Sequence, residues 1–196
     1  MISECLYSWR YTMDNLRECA IYYDSLIGNE YTLVLENDIK LVFKFEKSNF
    51  FHLLGLHKLT DVNEFYIGNR IKSKNVIYKE ILSGVIPDSI LCDKKGYDNI
   101  AERINNFQYI KDLLTYDKSN KVIIDFDKRL INRFESLLEG TKYILYKNIG
   151  NLYVHLTLGQ KSNIYPETFF AHNGKDYISE QTLLDIIDIQ VKKHKN

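Results

Sequence analysis

The sequence predicts an α+β protein in which helices pack against an antiparallel β-sheet. Apolar and polar residues alternate through residues 31–45 and again through 143–158, and a short polar turn interrupts each stretch, as in a β-hairpin. Between these stretches, apolar residues recur every three or four positions, which is typical of amphipathic helices. The helical and strand patterns come in blocks, which favours the α+β class.

The composition is that of an ordinary globular protein. Of the 196 residues, 45% are hydrophobic and 27% are charged, which excludes a disordered chain. No apolar run approaches the ~20 residues that cross a bilayer. Residues 1–5 carry no basic region before an apolar core, so a secretory signal is not expected. The three cysteines form no CxxC pair, which favours a reducing cytoplasm over a disulfide framework or a cysteine zinc site.

Positive and negative charges balance. Lys plus Arg number 26 and Asp plus Glu number 26, so the formal net charge is zero. Proteins that hold nucleic acid mainly through nonspecific phosphate contacts carry a positive excess. A nucleic-acid function would therefore need a local basic patch or a partner.

Residues 4–27 are predicted to form one amphipathic helix. It makes up an N-terminal segment, residues 1–28, ahead of a single α+β domain at residues 29–196. Ser3 can cap its start, and Gly28 lies just past its end. Its apolar stripe serves core packing or, as the alternative, the seam of a homodimer. The members of the stripe are spaced alternately three and four residues apart: Leu6, Trp9, Met13, Leu16, Ala20, Tyr23 and Ile27.

The next residues predict a hairpin and a run of helices. Strands at 31–35 and 39–45 flank Asn37-Asp38, and Ser48-Asn49 can start a short helix through residue 54. Further helices are predicted at 73–84, where Ser73 is the cap, at 98–117, and at 127–140, where Asp127 is the cap. A short apolar strand precedes the last of them at residues 122–124.

The last third of the chain returns to strands. Strands are predicted at residues 143–147, 152–158 and 164–171, and Pro166 confines the third to a sheet edge or a bulge. The tail from Gln181 fits a helix or a strand, and the sequence pattern leaves both open.

Two histidines flank a glycine in the first predicted short helix. Over five residues a helix turns by about 500°, so the His52 and His57 rings would diverge by about 140° and hold no common metal unless the helix breaks at Gly55. Glycine in an apolar helix indicates a turn or the close approach of another backbone. A break would turn His57 and Lys58 toward a cleft. The alternative is that His52 is a hydrogen-bonded core or boundary residue. No metal or other cofactor is expected in the protein.

The strand at residues 152–158 has one polar face. Tyr153, His155 and Thr157 alternate with core residues, and Thr168 follows on the next strand. Such a face could bind a phosphate and move a proton, or it could be an ordinary solvated surface. No P-loop, dinucleotide-binding or hydrolase motif is present.

Two stretches resemble a known nuclease family. They are residues 49–59, NFFHLLGLHKL, after the hairpin, and residues 165–170, YPETFF. Together with the order of elements over about residues 30–190, they resemble the fourth family of phage-borne Barnase–EndoU–colicin–RelE-like nuclease domains. The resemblance implies helices packed on an antiparallel sheet, a phage or mobile-element protein acting in the cytoplasm of a bacterial host, and a metal-independent RNase or toxin.

The resemblance also implies a reaction. A base takes the proton of a ribose 2′-OH, the oxygen attacks the adjacent phosphate to give a 2′,3′-cyclic phosphate, and an acid protonates the 5′-oxygen. His52 and His155 are the expected acid and base, and His57 and Lys58 complete the catalytic set. The residues expected to contact RNA are Tyr153, Thr157, Tyr165 and Thr168.

A non-catalytic function is the rival interpretation. Nuclease folds carried by phages can lose catalysis, and such a protein would bind and inhibit a host defence nucleoprotein complex. The 15 Tyr and 10 Phe favour an interaction surface, because aromatic side chains are common anchors at interfaces. A structural phage protein is a third alternative.

Overall fold

A seven-stranded antiparallel sheet, covered on one face by helices, forms the molecule. The computed structural model describes residues 14–131 and 138–193. The helices are α1 (Asn15–Asp24), α2 (Lys47–Leu53), α3 (Lys74–Leu82), α4 (Asp98–Asn106) and α5 (Ile110–Leu114). The strands are β1 (Asn29–Leu35), β2 (Lys40–Lys44), β3 (Tyr66–Ile67), β4 (Arg70–Ile71), β5 (Lys121–Ile123), β6 (Thr141–Ile149), β7 (Leu152–Gln160), β8 (Ile164–His172) and β9 (Leu183–Lys193).

The strand order across the large sheet is β2-β1-β9-β5-β6-β7-β8, and β3 pairs with β4 in a separate hairpin. Every pair of neighbouring strands in the large sheet is antiparallel. The predicted α+β class is therefore confirmed. Within the described residues, no helix is long and apolar enough to span a bilayer.

The described part of the N-terminal helix is shorter than predicted. Helix α1 starts after Asp14, whose carboxylate accepts the Arg17 N–H at 3.2 Å, and ends at Asp24 rather than at residue 27. Leu16, Ala20 and Tyr23 of the predicted stripe are buried. The predicted cap and the first three members of the stripe lie outside the described residues.

Tyr23 ties the helices to the hairpin. Its ring centroid lies 5.2–6.2 Å from those of Phe45, Phe50, Tyr78 and Phe107. Its hydroxyl donates to the Glu46 carbonyl at 2.7 Å. Aromatic pairs at such distances contribute about 0.5–1.5 kcal/mol each beyond burial, so this cluster holds α1, α2 and α3 on the sheet.

The predicted hairpin is confirmed, with Asp38 in a left-handed conformation in the turn. Helix α2 begins at Lys47, earlier than predicted, because the side chain of Asn49 reaches back and accepts the Glu46 N–H at 2.8 Å. The helix predicted from Ser73 is confirmed as α3. The predicted 98–117 helix is split into α4 and α5 by a 3₁₀ turn at Phe107–Tyr109.

The segment after β5 differs from the prediction. Asp127 does cap a turn, since its carboxylate accepts the Arg129 N–H at 2.9 Å, but Lys128–Leu130 forms a single 3₁₀ turn and Ile131 is extended. Residues 132–137 of the predicted helix lie outside the described part of the chain.

Strands β6, β7 and β8 follow the prediction closely. Strand β8 is an edge strand, and it has a register shift beside Pro166: Thr168 pairs with Thr157 and Pro166 pairs with Leu158, so Glu167 is the extra residue of a β-bulge. Pro166 therefore lies both on a sheet edge and next to a bulge, the two locations that the sequence predicted for it. The ambiguous tail is a strand: β9 pairs with β1 on one side and β5 on the other and joins the two halves of the sheet.

The sheet has apolar contacts on both faces. The main core fills the space between helices and sheet, while a smaller cluster covers the opposite face of β5–β8. Its buried members are Ile123, Leu138, Ile144, Tyr146 and Ile178. The face of β7 that carries His155 is therefore covered rather than solvated.

Replacing Phe169 should test the main core. Phe169 is fully buried and its ring lies edge-on to Phe107 at 5.5 Å. Phe169→Ala should lower the free energy of unfolding by about 3–5 kcal/mol in urea titration, because a cavity remains at the helix–sheet interface. Ile67→Ala, at a side chain that is 70% exposed, is the control and should change it by less than ~0.5 kcal/mol. Equal effects of the two changes would contradict this packing.

Candidate functional site

Helix α2 ends two residues before Gly55, and an arginine lies close beside that glycine. Gly55 has a φ of 75° and separates α2 from a 3₁₀ turn at Leu56–Lys58. A Cβ at this position would lie 3.3 Å from Cζ and Nη1 of Arg103 and 3.3 Å from Ile100. The chain turns at Gly55, as predicted, and the group that approaches it closely is the Arg103 side chain rather than another backbone.

Arg103 connects the two stretches that carry the family resemblance. It lies on α4, and its Nη1 donates to the Leu53 carbonyl at 3.4 Å and to Thr168 Oγ1 at 2.5 Å. Leu53 belongs to the first stretch and Thr168 to the second. One guanidinium therefore fixes the end of α2 against the bulged edge strand.

The charge of Arg103 has no carboxylate partner in the part of the chain that the structure describes. Burial lowers its pKa to about 10, although Tyr177 and Glu102 oppose the shift. Its hydrogen-bond partners are a carbonyl and a hydroxyl, both neutral. Both bonds use Nη1, and no described residue is bonded to Nε or Nη2. This edge of a guanidinium suits bidentate binding of a phosphate.

His52 and His57 lie side by side, because the break at Gly55 removes the predicted divergence of their rings. Their Nδ1 atoms are 3.3 Å apart and their ring centroids 4.8 Å apart. Lys74 of α3 places its Nζ 2.5 Å from His52 Nε2. The result is a chain of three residues joined by two contacts, and it ends at the exposed ring of His57.

Both histidines are neutral near pH 7. Burial, followed by the charge of Lys74, lowers the pKa of His52. Burial lowers the pKa of His57 to about 4, and His52, Arg103, Lys58 and Lys74 add to the shift. The groups around His57 are thus cations or proton donors, which favours an anion at this place. Among the described residues, no group of three or more His, Cys, Asp or Glu could hold a metal ion.

His155 lies on the opposite face of the sheet from this pair. Its neighbours on β7, Val154 and Leu156, point into the main core with α2, while His155 points into the smaller cluster. Its ring stacks on Phe170 at 4.5 Å and 8°. The structure does not bring His52 and His155 together, so the expected acid–base pair is not assembled.

The His155 ring is fully buried, and within the described residues neither of its nitrogens has a partner at good hydrogen-bond geometry. Burial lowers its pKa to about 3; the charge of His172 adds to this, and backbone groups of Phe170 and Tyr153 oppose it. A neutral, enclosed imidazole is beyond the reach of a polynucleotide.

The four residues expected to contact RNA share the sheet face of His155. Thr157 is buried, and its Oγ1 accepts the Thr168 N–H at 3.1 Å. Tyr165 lies over Gly159, where a Cβ would meet its ring at 2.6 Å, and Tyr153 lies opposite His172. Of the four, Thr168 is the one hydrogen-bonded to Arg103.

The sequence analysis missed three residues of this region. Arg103 follows Ile100 by three positions and precedes Ile104, so a cation on the apolar stripe of a helix was a usable signal. Lys74 and Glu167 gave no such signal, because their importance depends on contacts across the fold. The Glu167 carboxylate accepts the Thr141 hydroxyl at 2.9 Å, and a Cβ at Gly140 would lie 2.5 Å from it.

The fold defines an α+β domain with two helices and an edge strand meeting around one partly buried arginine. The chain belongs to the PBECR4 family, because the model described as "phage-Barnase-EndoU-ColicinE5/D-RelE like nuclease4" matches residues 15–195. The family predicted from the two short stretches is confirmed. No curated protein and no solved structure matches the chain.

The contact between Gly55 and Arg103 can be tested against a matched glycine. Gly55 and Gly84 have φ values of 75° and 78°, but the nearest atom to a Cβ at Gly84 is 3.7 Å away. Alanine at either position should cost about 1–2 kcal/mol of backbone strain. Gly55→Ala should cost about 1 kcal/mol more in urea titration, because Arg103 must move. Equal costs would show that the close approach is unimportant.

The enclosed His155 predicts a specific sensitivity to acid. Its folded-state pKa lies below the ordinary value for histidine, so the unfolded chain takes up the proton first and stability falls as the pH drops from about 6.5 toward 3. Between pH 7 and pH 5 this residue alone should remove about 2 kcal/mol. His155→Phe keeps the stack, and urea titrations at the two pH values should show a loss smaller by that amount. An unchanged loss would contradict the burial of a neutral imidazole.

Proposed function

We propose that this protein is a metal-independent RNA endonuclease in which Arg103 and Thr168 hold the scissile phosphate. The observation that carries the proposal is the Arg103 guanidinium, which is desolvated and bonded only to neutral groups among the described residues. Keeping such a charge partly buried without a counter-ion is costly. A phosphodiester is an anion that its remaining N–H groups fit.

The same guanidinium would stabilise the reaction. When the 2′-oxygen attacks the phosphorus, negative charge builds up on the phosphoryl oxygens. A donor already fixed by Leu53 and Thr168 needs little reorganisation to meet that charge. Removing one preorganised donor of this kind typically costs about 2.7–4 kcal/mol in the barrier.

Glu167 and His57 are the proposed proton-transfer groups. The bulge places Glu167 beside Thr168, and the Thr141 hydroxyl holds its carboxylate in place. Glu167 takes the proton of the 2′-OH, the 2′-oxygen bonds to phosphorus, and the bond to the 5′-oxygen breaks as that oxygen receives the Nε2 proton of His57. The products are a 2′,3′-cyclic phosphate and a 5′-hydroxyl end.

The other predicted site residues take supporting roles in this proposal. His52 acts behind His57 rather than on RNA, Lys58 adds positive charge at the same turn, and His155 stabilises the aromatic stack. Tyr153 and Tyr165 are half-buried rings on the sheet face and are proposed to contact bases, since stacking on aromatic side chains is common in single-strand binding. The proposed setting is the cytoplasm of a bacterial host, with host RNA as substrate.

Cleavage of an RNA oligonucleotide in EDTA tests the proposal. The wild-type protein should yield fragments that end in 2′,3′-cyclic phosphate. Arg103→Lys keeps the positive charge but loses the planar set of N–H donors that binds a phosphate through two hydrogen bonds, so kcat/KM should fall by about 10²–10³-fold. Arg70→Lys, at an exposed position in β4, is the control and should cleave like the wild type.

Intact RNA at high protein concentration would contradict the proposal. That result, with RNA or a nucleoprotein complex still bound, would favour the non-catalytic inhibitor. Cleavage that EDTA abolishes would contradict the metal-independent mechanism.

A further inference from the structure

The contacts among Lys74, His52 and His57 form one continuous line. Lys74 Nζ lies 2.5 Å from His52 Nε2, and His52 Nδ1 lies 3.3 Å from His57 Nδ1. The three residues come from two elements and one turn: α3, the end of α2, and the 3₁₀ turn after Gly55. The two histidines contact each other through their Nδ1 atoms. His52 therefore uses both ring nitrogens, Nε2 toward Lys74 and Nδ1 toward His57.

The chemistry of lysine fixes the position of every proton in this line. An ammonium group only donates, so His52 Nε2 must accept and carries no proton. A neutral His52 then has its proton on Nδ1 and donates it to His57. His57 Nδ1 must therefore accept, and its own proton lies on Nε2. No other arrangement of a charged Lys74 and two neutral rings satisfies both contacts.

We infer that Lys74 is a positioning residue that supplies protons to His57 through His52. The inference rests on the proposed function, since it concerns the acid that protonates the leaving 5′-oxygen. In the step, His57 Nε2–H goes to the 5′-oxygen, His52 Nδ1–H goes to His57 Nδ1, and one Lys74 proton goes to His52 Nε2. The ammonium becomes an amine, the alkoxide becomes an alcohol, and both rings stay neutral in the opposite tautomer. A solvent proton then enters at Nε2 of the exposed His57, and the same transfers run in reverse, which restores the Lys74 ammonium and both starting tautomers.

The surroundings of the rings explain why such a source is needed. His57 faces His52, Arg103, Lys58 and Lys74, and these neighbours and burial keep it unprotonated near pH 7. His52 faces Lys74 and His57, and the Phe51 ring packs beside both histidines. The N–H of a neutral imidazole is a very weak acid, so without a proton supplied by the ammonium His57 would be a poor acid at neutral pH.

The dependence of kcat on pH tests the inference. Lys74→Met should reduce kcat at pH 8 by about 10²-fold, the usual scale of general acid catalysis, with KM unchanged. Near pH 5 its kcat should return to within about threefold of the wild type, because the imidazole pair, freed from the Lys74 charge, then binds a proton itself. Lys79→Met, on the exposed side of the same helix, is the control and should keep the wild-type profile.

Nitrogen-15 NMR of the histidine rings gives a readout that does not need cleavage. The wild-type protein should show His52 with its proton on Nδ1 and His57 with its proton on Nε2. Finding His52 protonated on Nε2 would overturn the relay even if RNA is cleaved. So would a Lys74→Met profile parallel to that of an active wild type. An inactive wild type that has the expected tautomers would overturn the proposed function, and the catalytic role of the relay with it.

Discussion

The guanidinium of Arg103 lies 3.3 Å from the place where a Cβ at residue 55 would stand, and the site depends on this close approach. The left-handed backbone at Gly55 turns the chain after α2 and brings His57 back beside His52. Because Gly55 has no side chain, the Arg103 side chain of α4 can pass it and reach the edge of the sheet. At that edge, Thr168 Oγ1 accepts a hydrogen bond from the Arg103 guanidinium. Each of these consequences needs the others, because a helix continuing past residue 55 would separate the rings and exclude the arginine.

The distribution of charge explains how a protein of zero net charge can carry an anion site. Elsewhere in the described chain, several lysines pair with carboxylates, as Lys72 does with Glu80 and Lys147 with Asp117. Around the two histidines, the neighbours that shift their pKa values are all basic. A local excess of positive charge of this kind attracts anions even when the net charge of the chain is zero.

Local sequence patterns predicted what depends on neighbours along the chain. The hairpin turn at residues 37–38, the cap at Ser73 and the edge position of Pro166 all follow from short-range chemistry, and all are present. The tail could not be decided by its period, since its strand is set by two partner strands distant in sequence. The enclosed state of His155 was equally inaccessible, because the residues that cover it come from other segments.

The site shows the same division. The sequence singled out Gly55, His57 and Thr168, which now lie around one arginine, but it supplied neither that arginine nor Lys74. Alternation along β7 was predicted correctly, yet it says only that His155 and the core residues face opposite ways. The sheet therefore separates His155 from His52, and in place of the acid–base pair that the family resemblance implied, the structure shows a contact between two histidines five residues apart.

The most direct test of this account is the side-chain Nε–H signal of Arg103 in a nitrogen-15 NMR titration with a 2′-O-methyl RNA oligonucleotide, which cannot attack its own phosphates. The signal is assigned by its loss in Arg103→Lys. The account predicts that it shifts downfield and exchanges more slowly with water as RNA is added, because a phosphate occupies the open edge of the guanidinium. An unchanged Arg103 signal, with shifts confined to other arginines, would place RNA elsewhere and contradict the claim that this residue binds the phosphate.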